Sequence, residues 1–322
     1  PACEGDSLTL AVTFPVVGEI YNWTGPSAYS ATGESVIIYN ATPAMSGFYT
    51  VTASVGACVS PGTTIAVTVN PNAAITLTSA AGTDAQTVCE NTAITTITYS
   101  VTGGGTGASA TGLPAGVTGS YSAGVFTISG TPTTIGTFNY TVTTTGTCVQ
   151  TTATGTITVN PNAAITLTSA AGTNAQTVCE NTAITTITYS VTGGGTGASA
   201  TGLPTGVTGS YSAGTFTISG TPTTIGTFNY TVTTTGTCVQ TTATGSITVN
   251  PTTTGIDAQT ACNSLTWIDG ITYTASTNTP TFTIVGGSVQ GCESIVTLNL
   301  TINTTQTGTD VQTACNSLTW ID

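Results

Sequence analysis

Gly136-Thr137-Phe138-Asn139-Tyr140-Thr141-Val142 sets an apolar side chain at every second residue from Phe138 to Val142, and it recurs unchanged at residues 226–232. A period of two marks a strand with one buried and one solvated face. The same alternation runs through Ile75/Leu77, Ile97/Tyr99/Val101, Phe126/Ile128 and Ile157/Val159, with Thr or Ser on the outer face. No segment carries helical periodicity. Short strands separated by Gly- and Pro-bearing turns over one module predict an all-β fold of antiparallel strands packed as a β-sandwich.

Working outward, the whole stretch is written twice: residues 70–159 and 160–249 agree at 86 of 90 positions. The differences are Asp84/Asn174, Ala115/Thr205, Val125/Thr215 and Thr156/Ser246. Val125 and Thr156 fall out of phase with the apolar alternation, and the other two fall in loops, so no expected core position changes. A tandem of this kind is the mark of an array, in which a folded unit is repeated for length or valency. Val69-Asn70-Pro71, Val159-Asn160-Pro161 and Val249-Asn250-Pro251 each close a strand and stiffen a link. They predict domains at 1–70, 71–160, 161–250 and 251–303, with 304–322 opening a fifth unit. Asp257-Ala-Gln-Thr-Ala-Cys262 recurs as Asp310-Val-Gln-Thr-Ala-Cys315, and both ends of the chain read as cuts in a longer protein.

The 322 residues include no Lys, Arg or His, and 12 carboxylates set the formal charge at −12. Without cations there is no phosphate clamp and no nucleic-acid footprint. Attachment to anionic lipid by a basic patch is excluded, and no apolar run is long enough for a membrane-spanning helix. Without His or Lys the common nucleophilic triads cannot be built. No His-bearing zinc site exists either. A mean hydropathy of +0.29 still supplies enough apolar surface for packed cores, which disfavours disorder.

The run Gly112-Leu113-Pro114-Ala115-Gly116-Val117, then Thr127-Ile128-Ser129-Gly130-Thr131-Pro132 and residues 136–142, resembles the putative-Ig, cadherin-like repeat of bacterial surface proteins. In the first module, Cys3-Glu4-Gly5-Asp6-Ser7-Leu8-Thr9-Leu10, Tyr21-Asn22-Trp23 and Ser46-Gly47-Phe48-Tyr49-Thr50-Val51 resemble Ig-like modules of Bacteroidota surface proteins. Cys262-Asn-Ser-Leu-Thr-Trp267 and Gly291-Cys292-Glu293-Ser294 are similar to the short repeats of giant gliding adhesins of that phylum. The resemblance implies tandem Ig-like sandwiches in an extended array, export by the type IX system and a mechanical role. It supplies no catalytic residues.

Nine cysteines supply a pair per module and one over. Cys3/Cys58, Cys89/Cys148, Cys179/Cys238 and Cys262/Cys292 are the candidate structural disulfides, and Cys315 is left without a partner inside the sequence. Regular pairing without any CxxC spacing reads as disulfides rather than metal ligation. Two connectivities stay open. Bonds within modules follow the pairing just given. In an Ig-type sandwich, however, the first cysteine of a pair lies at one pole and the second at the other, a strand length of about 23 Å apart, beyond bonding reach. Cys3–Cys148, Cys89–Cys238 and Cys179–Cys292 would then staple successive modules.

Other candidates weigh less. Glu4/Asp6 is the one close carboxylate pair, while Glu90 and Glu180 are single copies in repeated loops. Neither arrangement points to glycosidase chemistry. Ca²⁺ at module junctions is conceivable because oxygen ligands are all the chain offers, but no calcium-loop motif occurs and Asp84 becomes Asn174 in the twin repeat. The expectation is therefore no cofactor, with Ca²⁺ as the alternative. Trp23, Trp267 and Trp320 read as core anchors rather than sugar platforms. Asp6-Ser7-Leu8 fits an O-glycosylation pattern associated with Bacteroidota, making Ser7 a candidate glycan site. The resulting expectation is a non-enzymatic structural segment of an extracellular fibre or surface adhesin. Its partners would be copies of itself or neighbouring repeats, or surface glycans, with no nucleic acid and no membrane insertion. The alternatives are carbohydrate-binding adhesin modules and a stalk carrying an enzyme domain elsewhere in a longer chain.

Overall fold

The computed structural model describes residues 1–305 and 308. Among these, ordered structure is β throughout apart from one 3₁₀ turn, Pro43–Met45. Two compact units, Pro1–Asn162 and Ala163–Asp322, divide the chain.

The first repeat, in the first unit, is a sandwich of two four-stranded sheets. One sheet has the order Ala73–Leu77, Ile97–Gly103, Val125–Gly130, Val117–Ser122. The other has the order Ala85–Cys89, Thr152–Asn160, Gly136–Gly146, Gly105–Thr111. The alternating residues meet between them: Ile97, Tyr99, Val101, Phe126 and Ile128 from one sheet, Tyr140, Val142, Ile157 and Val159 from the other, all buried. Ile75 and Leu77 pack against this core from the edge strand.

One pairing departs from the antiparallel expectation. Ala85–Cys89 runs parallel to the last strand, with Ala85 opposite Thr156 and Cys89 opposite Asn160. After Leu77 the chain leaves the first sheet and crosses to the second, and the direction of travel is kept. Gln86 pins that crossing. Its Nε2 donates to the carbonyls of Thr83 and Thr95, each at 2.7 Å, and its Oε1 accepts from the Thr95 amide at 2.8 Å.

The second repeat, in the second unit, repeats these pairings residue for residue, with the parallel pair Ala175–Cys179 on Thr242–Asn250. None of the four differing positions is buried in either copy. The same unit also carries a smaller sheet, Thr253–Cys262, Ser294–Asn303, Thr281–Ile284, over a core of Trp267, Leu298 and Leu300.

The first module is leaner. Leu8–Ala11 pairs only with Ser35–Ile38. The facing sheet holds Tyr29–Thr32, Ile20–Gly25 and Gly47–Val55, with Cys58–Val59 and Thr63–Val67 both on the last of these. Its buried core is Leu10, Trp23, Val36, Ile38 and Tyr49. The Tyr49 hydroxyl donates to the Met45 carbonyl at 3.0 Å, fixing the corner where this strand begins.

Candidate functional site

The site-forming chemistry of this chain is sulfur at the poles of the sandwiches. In the first module Ala2–Cys3 adds parallel to Val69–Asn70, with Cys3 opposite Asn70. That places Cys3 at the end where the module hands over to the next. Glu4 then donates its amide to the Asn70 carbonyl at 2.9 Å. Glu90 does the same to Asn160 and Glu180 to Asn250, each at 2.9 Å, so the Cys-Glu step caps the last strand in all three sandwiches.

The second cysteine of each module sits at the opposite pole. Gly136–Gly146 and Thr152–Asn160 are joined by a hairpin that carries Cys148. From that hairpin to Asn160 the strand spans about 26 Å, too far for Cys89 to reach Cys148. The first module has the same geometry: Cys58 opens the strand opposite Val55 while Cys3 lies beside Asn70. In the last sheet Cys262 pairs with Asn303 and Cys292 precedes Ser294, again at opposite ends.

The bonds observed follow this layout. Cys3 bonds Cys148 with Cα atoms 5.4 Å apart across 145 residues of sequence, and Cys179 bonds Cys292 with Cα atoms 5.5 Å apart across 113 residues. Cys89 and Cys238 are also disulfide-bonded. Cys58 and Cys262, counted among the expected pairs, are instead exposed free thiols. The within-module pairings of Cys3 with Cys58, Cys89 with Cys148, Cys179 with Cys238 and Cys262 with Cys292 are thus replaced, because each asks two opposite poles to touch. Cys315 and Trp320 lie outside the described residues, as does most of the expected fifth unit.

Around Cys3–Cys148 a polar clasp joins the same two modules. Asn72, one of two residues between the strands ending at Asn70 and starting at Ala73, is its hub. Its amide donates to Glu4 Oε2 and its Nδ2 to the Glu4 carbonyl, both at 3.3 Å. Its Oδ1 accepts from the Val149 amide at 3.2 Å, and Ala73 donates back to the Val149 carbonyl at 3.0 Å. The sequence pointed to Glu4 only as half of a carboxylate pair and did not point to Asn72. The signal available was the Asn that follows Asn-Pro at 72 and again at 162, where Nδ2 donates to the Glu90 carbonyl at 3.4 Å. At the equivalent position after the second repeat, Thr252 replaces this Asn. There the Thr253 amide donates to the Glu293 carbonyl at 3.1 Å beside Cys292.

The remaining candidates are placed as follows. Ser7 is exposed just ahead of Leu8–Ala11. Trp23 and Trp267 are buried, donating Nε1 to the Gly33 carbonyl at 3.0 Å and to Asp257 Oδ2 at 2.8 Å. Both anchor cores and offer no face to a sugar. Among the described residues no cluster of three or more His, Cys, Asp or Glu is placed to hold a metal ion. No helix among them is long and apolar enough to cross a membrane. Inside each repeat the Tyr99/Tyr140 and Tyr189/Tyr230 hydroxyls meet at 3.0 Å. Burial, then the hydrogen bond from Tyr99, holds the Tyr140 phenol well above its ordinary range.

No protein-family model matches the chain, and no curated protein does. Among solved structures it is similar to the I-band fragment I67-I69 from titin, at 12% identity and a TM-score of 0.58, over 77% of this chain and 94% of that one. An E-to-A variant of the same three-Ig fragment matches with the same figures. The complex of Dpr2 Ig1-Ig2 with DIP-Theta Ig1-Ig3 aligns over 78% of this chain and 95% of that one, at 10% identity and a TM-score of 0.39. The titin likeness is one of fold: this chain is built of tandem Ig-like sandwiches.

Proposed function

We propose that this chain is a tension-bearing segment of an extracellular fibre or surface adhesin, acting through mechanics and not through catalysis. The observation that carries the reading is where the disulfides run. A bond inside a sandwich would protect one module and leave the links between modules as the weak points. Cys3–Cys148 and Cys179–Cys292 instead tie one sandwich to another, so tension crosses a junction through a covalent bond as well as through a two-residue linker. Stable disulfides of this kind belong to oxidising, extracellular surroundings. The resemblance to Bacteroidota gliding adhesins supports a cell-surface setting and export by the type IX route. The absence of every Lys, Arg and His leaves no residue for the usual nucleophile activation.

Single-molecule stretching of the chain from its two ends tests this. In the oxidised protein the residues between Cys3 and Cys148 lie off the force path and contribute no extension. Reduction should release about 500 Å of contour from that loop of 145 residues, and about 400 Å from the loop of 113. Equal extension before and after reduction would overturn the load-bearing role of the staples.

A further inference from the structure

The twin repeats differ at one place on the outer face of a sheet, and in the second repeat that place is a notch. There Gly226–Gly236 and Thr242–Asn250 pair with Asn229 opposite Ser246, Tyr230 opposite Gly245 and Thr231 opposite Thr244. Tyr230 is buried, so its neighbours Asn229 and Thr231, and with them Ser246 and Thr244, face outward. They form a four-cornered frame, about 4.8 Å across the strands and about 6.8 Å along them. Ala175, opposite Ser246, and Asn174 before it close one side, where the parallel strand begins. The result is a notch of about 360 Å³ with Tyr230 and Gly245 in its floor.

Three details point to a ligand there. First, the lining carries amides and hydroxyls and no carboxylate. A hydroxyl both donates and accepts, and an Asn amide adds two donors and an acceptor, which is the set that sugar hydroxyls require. Second, two of the four differences between the repeats, Asp84/Asn174 and Thr156/Ser246, fall at this notch. The two positions are bonded to each other: the Ser246 amide donates to the Asn174 carbonyl at 2.8 Å, as the Thr156 amide does to the Asp84 carbonyl. Third, the first repeat's residues close the same place. Thr156 brings a methyl group that Ser246 lacks, and its hydroxyl donates to Asn139 Oδ1 at 2.9 Å, which occupies the acceptor at one corner. Asp84 replaces an amide that can donate with a carboxylate that only accepts.

We propose that the notch of the second repeat binds a neutral saccharide, with one sugar ring inside the frame, and that the first repeat carries a closed version of the same site. Ring hydroxyls would exchange hydrogen bonds with Asn229, Thr231, Thr244 and Ser246, while Asn174 stands at the rim. An acidic sugar is disfavoured, because the chain offers no cation to pair with it. This adds a ligand site to the mechanical reading and does not rest on it.

The test uses the oxidised full chain and four neutral disaccharides: maltose, cellobiose, mannobiose and diacetylchitobiose. Saturation-transfer NMR and equilibrium dialysis should show at least one of them binding saturably, with a dissociation constant of about 1 mM. The double variant Asn174→Asp, Ser246→Thr writes the first repeat's residues into the second. The twin repeat carries both residues in the same setting, so the fold is kept. Affinity should fall at least about tenfold. The reciprocal variant Asp84→Asn, Thr156→Ser should raise the stoichiometry from one to two. Absence of saturable binding by all four sugars at about 50 mM overturns the proposal. So does undiminished affinity in the first double variant, or a stoichiometry that stays at one in the second.

Discussion

The first module and the first repeat share one plan and differ in the buried core of their described residues. Tyr49 and Tyr140 occupy the same place on the penultimate strand, opposite Ile65 and Gly155. Around Tyr140 lies a core of eleven buried residues between two four-stranded sheets, whereas around Tyr49 only five are buried and one sheet has two strands. In the repeat an edge strand, Ala73–Leu77, packs on the core. It brings Ile75 and Leu77 onto the core and leads to the Gln86 clasp, which locks the sheet-to-sheet crossing. A sandwich of this size is held by area removed from water.

The largest test of this contrast is Cys148→Ser. It frees the lean module from its covalent anchor and opens a loop of 145 residues, worth about 5 kcal/mol on the chain-entropy account. Denaturant unfolding of the oxidised variant should show the first module melting apart from the repeats. Next comes Trp23→Ala, which empties the centre of the five-residue core and should cost about 3–5 kcal/mol. Hydrogen exchange should then report lost protection in residues 8–67 with the repeat strands unchanged. Loss of protection in both would mean that the two modules form one cooperative unit.

A smaller effect separates the matching positions. Gly155→Ala pushes a methyl group into Tyr140 and the Asp84 carbonyl and should cost about 1–3 kcal/mol. Ile65→Ala at the exposed matching position should cost under about 0.5 kcal/mol by thermal melting. Similar costs at both would show that Ile65 is covered in solution. The smallest effect is Tyr140→Phe, about 1 kcal/mol for a lost buried hydrogen bond. Because burial raises the folded-state Tyr140 pKa above the unfolded value, its contribution is complete below about pH 10 and fades as pH rises beyond that. Melting temperatures of the wild-type repeats should thus fall above pH 10, and less steeply in the Phe variant.

Much of the repeat was legible because its core strands alternate large apolar residues with Thr. Ile97, Tyr99, Val101, Phe126, Ile128, Tyr140, Val142, Ile157 and Val159 are all buried. The strands Gly105–Thr111 and Val117–Ser122 were not, since Gly, Ala and Ser carry no period to read. Gly119 shows why such residues are there: a side chain on it would run into the Phe126 ring. The parallel strand Ala85–Cys89 was hidden likewise, with Gln and Thr serving as clasp and ladder. The cysteines announced pairing by their number, but which pairs form depends on which pole each occupies, and that is a property of strand direction. Asn72 escaped notice because its role lies in three contacts to residues far apart in sequence.

The staple also changes what a single broken peptide bond does. In an ordinary string of modules one cut at an exposed loop drops everything beyond it. Here residues 3 and 148 are joined through sulfur, so a cut anywhere between them leaves both fragments attached. The same holds between residues 179 and 292. A chain without Lys or Arg already denies trypsin-like proteases a foothold. One that survives its first nick can stay in service in a protease-rich environment until a second bond fails.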